Sequence, residues 1–152
     1  MKRHFKKIAV VLFVIMLFSS MVSYSYAYGI QFENYETYIS VGSYSSVDTP
    51  QPRVSSSPLV IWIDENPYGD TFYVRAMGGD GTLVNNRNCT LYDGALVDHV
   101  VVGENRYYSI KSNSYESGFY YAVISMTTYG GSGTITGEWA PYSAQTFADP
   151  TV

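Results

Sequence analysis

Beyond residue 27 the chain repeats one pattern: short runs of β-branched and aromatic residues, separated by Gly, Asn, Asp, Ser and Pro, with no apolar spacing of the helical kind. Such runs predict strands joined by turns. A first extended segment is expected within residues 30–41. Residues 43–57, with Pro50, Pro52 and many serines, offer nothing to bury and predict a long loop. Leu59–Ile63 (LVIWI) is apolar on both faces, as a covered central strand would be, and Asn66-Pro67-Tyr68-Gly69 is a turn. Residues 71–77 alternate, with Phe72, Val74 and Ala76 on one face and Tyr73 and Arg75 on the other. Gly78-Gly79-Asp80-Gly81 signals a hairpin, and residues 83–92 read as an interrupted strand before an Asp93-Gly94 turn. Residues 97–102 and 106–112 predict a pair joined at Gly103-Glu104-Asn105. Residues 119–127 (FYYAVISMT) are the strongest strand run. Gly130-Gly131-Ser132-Gly133 is expected to turn them into residues 134–139, where Ile135, Gly137 and Trp139 share a face. Residues 142–152 look loose. Seven or eight short strands at this spacing predict an all-β fold, an antiparallel β-sandwich in preference to a barrel, with its core in residues 58–141 and an N-terminal strand and loop in 28–57.

The first 27 residues follow another pattern. Lys2, Arg3, Lys6 and Lys7 precede an uninterrupted apolar run, IAVVLFVIMLF, and a short polar stretch ends in Ser25-Tyr26-Ala27. A cationic start, an apolar centre and a small-residue end define a secretory signal, here a signal helix cleaved between Ala27 and Tyr28. As an uncleaved anchor, the run falls short of the ~20 residues that span a bilayer. No Cys follows it for acylation, and the tail carries no sorting motif, so the product is expected to be released and extracellular, touching a membrane only through the signal before cleavage.

Cleavage changes the charge. The full chain has net charge −4, but the remaining cations are Arg53, Arg75, Arg87, Arg106 and Lys111 against 13 acids, a net charge of −8. That excess opposes nucleic acid, whose phosphates need basic partners. Cys89 is the only cysteine, which excludes an internal disulfide; it is expected to be a buried thiol.

Candidate chemistry is sparse, and neither a metal site nor a cofactor is expected. Asp64-Glu65-Asn66-Pro67-Tyr68-Gly69-Asp70 echoes a calcium loop, but Tyr68 and Arg75 stand where ligands are needed. Gly78-Gly79-Asp80-Gly81-Thr82-Leu83 starts like a calcium nonapeptide and is not repeated. After cleavage His99 is the one imidazole; on a strand, Asp98 would point to the opposite face and could not orient it. Acid pairs such as Glu104 with Glu116 suit a glycosidase, but any acidic domain yields such pairs; Lys111 could supply an internal amide bond, though a solvated lysine is the plainer expectation. The expectation is a protein that is not an enzyme.

Aromatic surface is what exceeds the ordinary: of 16 tyrosines, 14 lie after residue 27. Tyr107-Tyr108 and Tyr120-Tyr121 must each present one ring to either face of a strand. Tyr73, Tyr107 and one of Tyr120 and Tyr121, with Arg75 or Lys111 nearby, would then form an exposed aromatic strip. Such a strip binds sugars, peptides or proteins, because tyrosine combines apolar area with a hydroxyl at little entropic cost. The competing use of these rings is cross-strand packing.

The signal segment, the Trp62 strand, Val102-Gly103 with Tyr107 four residues on, and Ile135-Thr136-Gly137-Glu138-Trp139-Ala140-Pro141 together resemble small secreted proteins of Gram-positive bacteria, in the neighbourhood of lactococcin-type bacteriocins. The resemblance carries no catalytic residues. On its bacteriocin side it implies action on a competitor's cell envelope, although those peptides are generally smaller and more basic. The expected function is a secreted binding or interaction module whose partner is a protein or a cell-envelope glycan. A bacteriocin-like antagonist is the alternative, and an envelope hydrolase comes third.

Overall fold

The computed structural model describes residues 31–145 and 147–152; the signal segment, with its expected helix and the Ala27–Tyr28 cleavage point, lies outside the described residues. The described residues are all-β. In chain order the strands are β1 (Glu33–Ile39), β2 (Ser45–Ser46), β3 (Gln51–Pro52), β4 (Leu59–Ile63), β5 (Thr71–Gly79), β6 (Arg87–Asn88), β7 (Leu91–Tyr92), β8 (Ala95–Leu96), β9 (Val100–Gly103), β10 (Tyr108–Ile110), β11 (Tyr121–Thr128) and β12 (Gly133–Ala140). One antiparallel sheet runs β1-β12-β4-β10. The other is centred on β11 and β5, with β2 and β3 along the far side of β11 and with β6 and β9 along β5. β7 and β8 form a separate small hairpin.

Alternation explains which side chains meet. Phe72, Val74 and Ala76 of β5 stand opposite Thr128, Met126 and Ile124 of β11, all on the inner face. From the other sheet Tyr35, Ile39, Ile61, Ile63, Ile135 and Trp139 point inward, and both sets belong to one core cluster. Each such apolar side chain contributes about 1.5–3 kcal/mol by leaving water. The Tyr35 hydroxyl donates to the Trp62 carbonyl at 3.1 Å, and burial raises its pKa well above the usual phenol value.

Two expected hairpins do not form. Residues 97–102 and 106–112, expected to pair, separate: β9 pairs with β5 whereas β10 pairs with β4, in the other sheet. Likewise β11 and β12 are joined at Gly130-Gly131-Ser132-Gly133 yet lie in different sheets. The crossing works because Tyr68 folds over the glycines, and a Cβ at Gly133 would fall within the Tyr68 ring. Turn-forming residues mark a reversal without saying which strand lies on the other side of it.

The loop expected at residues 43–57 is also corrected. Its short strands β2 and β3 edge β11, Val47 is buried in the core, and Arg53 is only 2 % exposed. The Arg53 guanidinium donates to the carbonyls of Pro141 (2.8 Å) and Ser57 (2.7 Å), and desolvation lowers its pKa to about 10.

The C-terminal residues are not loose either. Ala148 bridges to Tyr108 beside β10, and Thr151 bridges to Val101 in β9, exchanging backbone hydrogen bonds of 2.7 and 3.0 Å with it. Residues 147–151 therefore touch both large sheets. Lys111 forms an ion pair with Asp149 at 3.4 Å between exposed side chains.

Candidate functional site

The structure divides the expected aromatic strip into three places. Tyr107 leads the first. Its pair partner Tyr108 packs against the core from the inner face, so this pair splits as alternation requires. The Tyr107 ring lies on the outer face, 4.7 Å from Trp62 and 5.2 Å from both Phe32 and Phe147, measured between centroids. Its hydroxyl donates to Glu138 at 2.6 Å, and that bond, ahead of desolvation, raises its pKa to about 12. Trp62 donates from Nε1 to Asp64, which also accepts from the Thr136 hydroxyl. Ser109 accepts the Phe147 N–H beside Val60, an outward residue that is nonetheless fully buried. This cluster is a lid over the outer face of its sheet, with its polar ends already engaged.

Tyr73 and Arg75 make the second place, on the outer face of β5. Tyr73 meets His99 and Tyr129 edge-on at 4.9 and 5.0 Å. Arg75 lies 3.6 Å over the Tyr44 ring and forms an ion pair with Asp98. Asp98 also accepts from His99 Nδ1 at 3.0 Å, corrected from the expectation that the two neighbours would diverge. The reason is local: residues 97–99 precede β9 in an irregular bend, so strand alternation does not govern them. The bond to His99 leads the causes that lower the Asp98 pKa. Among the described residues no hydroxyl is bonded to His99, and no three His, Cys, Asp or Glu side chains gather as metal ligands. Glu104 accepts from the Asn66 backbone and side chain, and Glu116 lies on the exposed turn after Asn113. Cys89 is buried, and burial raises its pKa.

Tyr120 and Tyr121 make the third place, and here the one-in, one-out expectation fails. Pairing of β11 with β5 begins at Tyr121 opposite Gly79, so Tyr120 stands outside the strand end and beyond the core. Its carbonyl accepts the Arg53 N–H, which fixes the backbone, while its side chain is 64 % exposed and Tyr121 is 37 % exposed. Both rings line a groove of about 500 Å³ with Gly79, Asp80, Asn85, Arg87, Gly118 and Phe119. The cleft beside Pro52 measures about 190 Å³ and the one beside Lys111 about 80 Å³. A volume near 500 Å³ falls within the range of small-ligand sites.

Local structure shapes each wall. On one side, residues 80–86 form a loop instead of the expected strand start, leaving Leu83 and Val84 exposed. Asp80 organises it, accepting from the Thr82 N–H (3.0 Å), the Thr82 hydroxyl (2.7 Å) and the Asn85 amide (2.8 Å). These bonds, led by Asn85, hold the Asp80 carboxyl at about 2, so it is ionised at any ordinary pH. Gly81, at φ +95°, lets the loop pass under the Tyr121 ring. On the other side, a turn closed by Ser117 N–H to the Asn113 carbonyl and Phe119 N–H to the Ser114 carbonyl presents Tyr115 edge-on to Tyr120 at 6.1 Å.

Of the proposed site residues, then, Tyr120 and Tyr121 share one groove. Tyr73 and Arg75 share another patch, roughly 20 and 13 Å along β5 from the Tyr121 position at about 3.3 Å per residue. Tyr107 belongs to the other sheet. Asn85, Arg87 and Phe119 were not singled out by sequence reasoning, although the Asp80-x-Thr82 spacing is a side-chain turn signal that locates the loop. Comparison of the chain with protein-family models, curated proteins and solved structures finds no match.

Proposed function

We propose that the protein is a secreted, non-enzymatic β-sandwich that acts as a binding module, with the Tyr120–Tyr121 groove as its contact surface. The sandwich reading follows from two sheets whose inner faces share one core cluster. Secretion follows from the signal pattern of residues 1–27, and N-terminal sequencing of protein from the culture medium should begin at Tyr28. The observation that carries the binding reading is that both rings of one tyrosine pair line a groove of about 500 Å³ while the other aromatic clusters use their rings to cover backbone and side chains. Exposed aromatic rings flanked by polar groups are the usual anchors of recognition surfaces. The non-enzymatic reading is supported by His99, which is occupied by Asp98 and Tyr73.

The partner is a protein or a cell-envelope glycan, and the net charge argues against nucleic acid. Retention on purified cell-envelope glycan tests the groove. The Tyr120→Ala, Tyr121→Ala double variant should lose retention, and a Tyr73→Ala, Tyr107→Ala variant should keep it. The reverse result would move the contact surface to another part of the molecule.

A further inference from the structure

The ligand class can be narrowed, on the premise that the groove is the contact surface. Of the five cations in the described residues, four are engaged. Arg53 holds two carbonyls, Arg75 holds Asp98 and Tyr44, Arg106 lies over the Tyr108 ring, and Lys111 holds Asp149. Arg87 is the exception. Its side chain is exposed on the groove wall, with no hydrogen-bond, ion-pair or ring partner among the described residues. A guanidinium is a planar fork that suits a carboxylate.

Asp80 adds a second requirement. A carboxylate offers about four acceptor positions, and Thr82 and Asn85 fill three of them. Both Thr82 bonds fall on Oδ1 and Asn85 is the one side-chain donor on Oδ2, which leaves Oδ2 the open side of a carboxylate fixed by its own turn. Tyr120, Tyr121 and Phe119 line the same groove as these two charges, and Gly79 and Gly118 add no side chains to it. The site is therefore a shallow aromatic platform with one hydroxyl acceptor and one carboxylate fork. It lacks the deep apolar slot that would take a peptide side chain.

We infer that the groove binds a sugar chain bearing uronic-acid carboxylates: a pyranose CH face rests on the Tyr120–Tyr121 platform, a ring hydroxyl donates to Asp80, and the carboxylate is forked by Arg87. The flat face of a pyranose supplies apolar contact, its hydroxyls supply donors, and the carboxylate supplies the only charge that Arg87 lacks. The acidic excess of the whole chain opposes long anionic polymers, so the fit is to short or sparsely charged stretches.

Calorimetric titration of the purified full chain with an oligogalacturonate, and with the same oligomer methyl-esterified, tests this. The acid form should bind about tenfold more tightly, a difference of about 1.4 kcal/mol, because a guanidinium–carboxylate fork is a charge-assisted bond. Arg87→Gln should abolish that preference by weakening the acid form far more than the ester, with thermal unfolding unchanged, and Tyr121→Ala should weaken both oligomers. Equal affinity for acid and ester, a preference that survives Arg87→Gln, or binding of neither oligomer would overturn the inference. If neither binds but the Tyr120→Ala, Tyr121→Ala variant still loses retention on envelope glycan, only the ligand class is wrong. If that variant keeps its retention, the groove itself is wrong.

Discussion

Tyr107 and Tyr120 each open a pair of adjacent tyrosines at the entrance to a strand, yet their surroundings differ. Tyr107 sits among Trp62, Phe32 and Phe147 with its hydroxyl bound to Glu138, while Tyr120 is 64 % exposed beside a groove. The cause lies in what each strand end has above it. The outer face beside β10 is covered by the C-terminal segment, which brings Phe147 onto Ser109. Nothing comparable among the described residues crosses the end of β11, where the 80–86 loop and the turn after Asn113 stand apart and leave a gap. The same residue type thus serves packing in one place and presentation in another, and local sequence does not decide which.

Mutation should separate the two regions. The largest effect is expected for Trp62→Ala, which removes the centre of the covered cluster. It should cost about 2 kcal/mol in urea unfolding, less than the usual figure for a fully buried Trp because Trp62 keeps one side toward solvent. Tyr107→Phe keeps the ring and removes one charge-assisted hydrogen bond, for about 1 kcal/mol. Tyr120→Ala should change stability by less than about 0.5 kcal/mol while abolishing retention on envelope glycan. A Tyr120→Ala loss as large as that of Trp62→Ala would erase the distinction.

Alkaline pH should sharpen it. The folded pKa of Tyr107, about 12, lies above the unfolded phenol value near 10, so its contribution is fully present below about pH 10 and is lost as pH rises toward 12. Tyr35, more deeply buried, acts in the same direction. Unfolding midpoints measured across this window should fall, and Tyr107→Phe should flatten the fall.

The strands were legible because β-branched and aromatic runs bounded by turn formers reflect local preference. LVIWI and the alternation around Phe72, Val74 and Ala76 occupy the places their pattern implies. Pairing was less legible. The glycines at 130–133 would serve a hairpin or a crossing equally, and the deciding contact, Tyr68, is some sixty residues away in sequence. Arg53 was hidden for a similar reason, since a serine- and proline-rich stretch reveals nothing about carbonyls waiting at Pro141. For the groove, Tyr120 and Tyr121 stood out as a pair, but Arg87 did not. Its significance comes from lacking partners that only a folded chain can supply or withhold.

The attachment of residues 147–151 to both sheets has a consequence for how the molecule meets its own copies. A strand edge with free N–H and C=O groups is a template on which another chain can add a strand. Ala148 and Thr151 occupy such groups beside Tyr108 and at Val101, one from each sheet. A chain truncated after Thr146 would expose both edges at once and strip Phe147 from the outer face. It should therefore self-associate into β-rich aggregates, with light scattering rising as concentration increases. Solubility in this protein is then partly a matter of backbone occupancy, secured by a few residues whose side chains carry almost no signal of it.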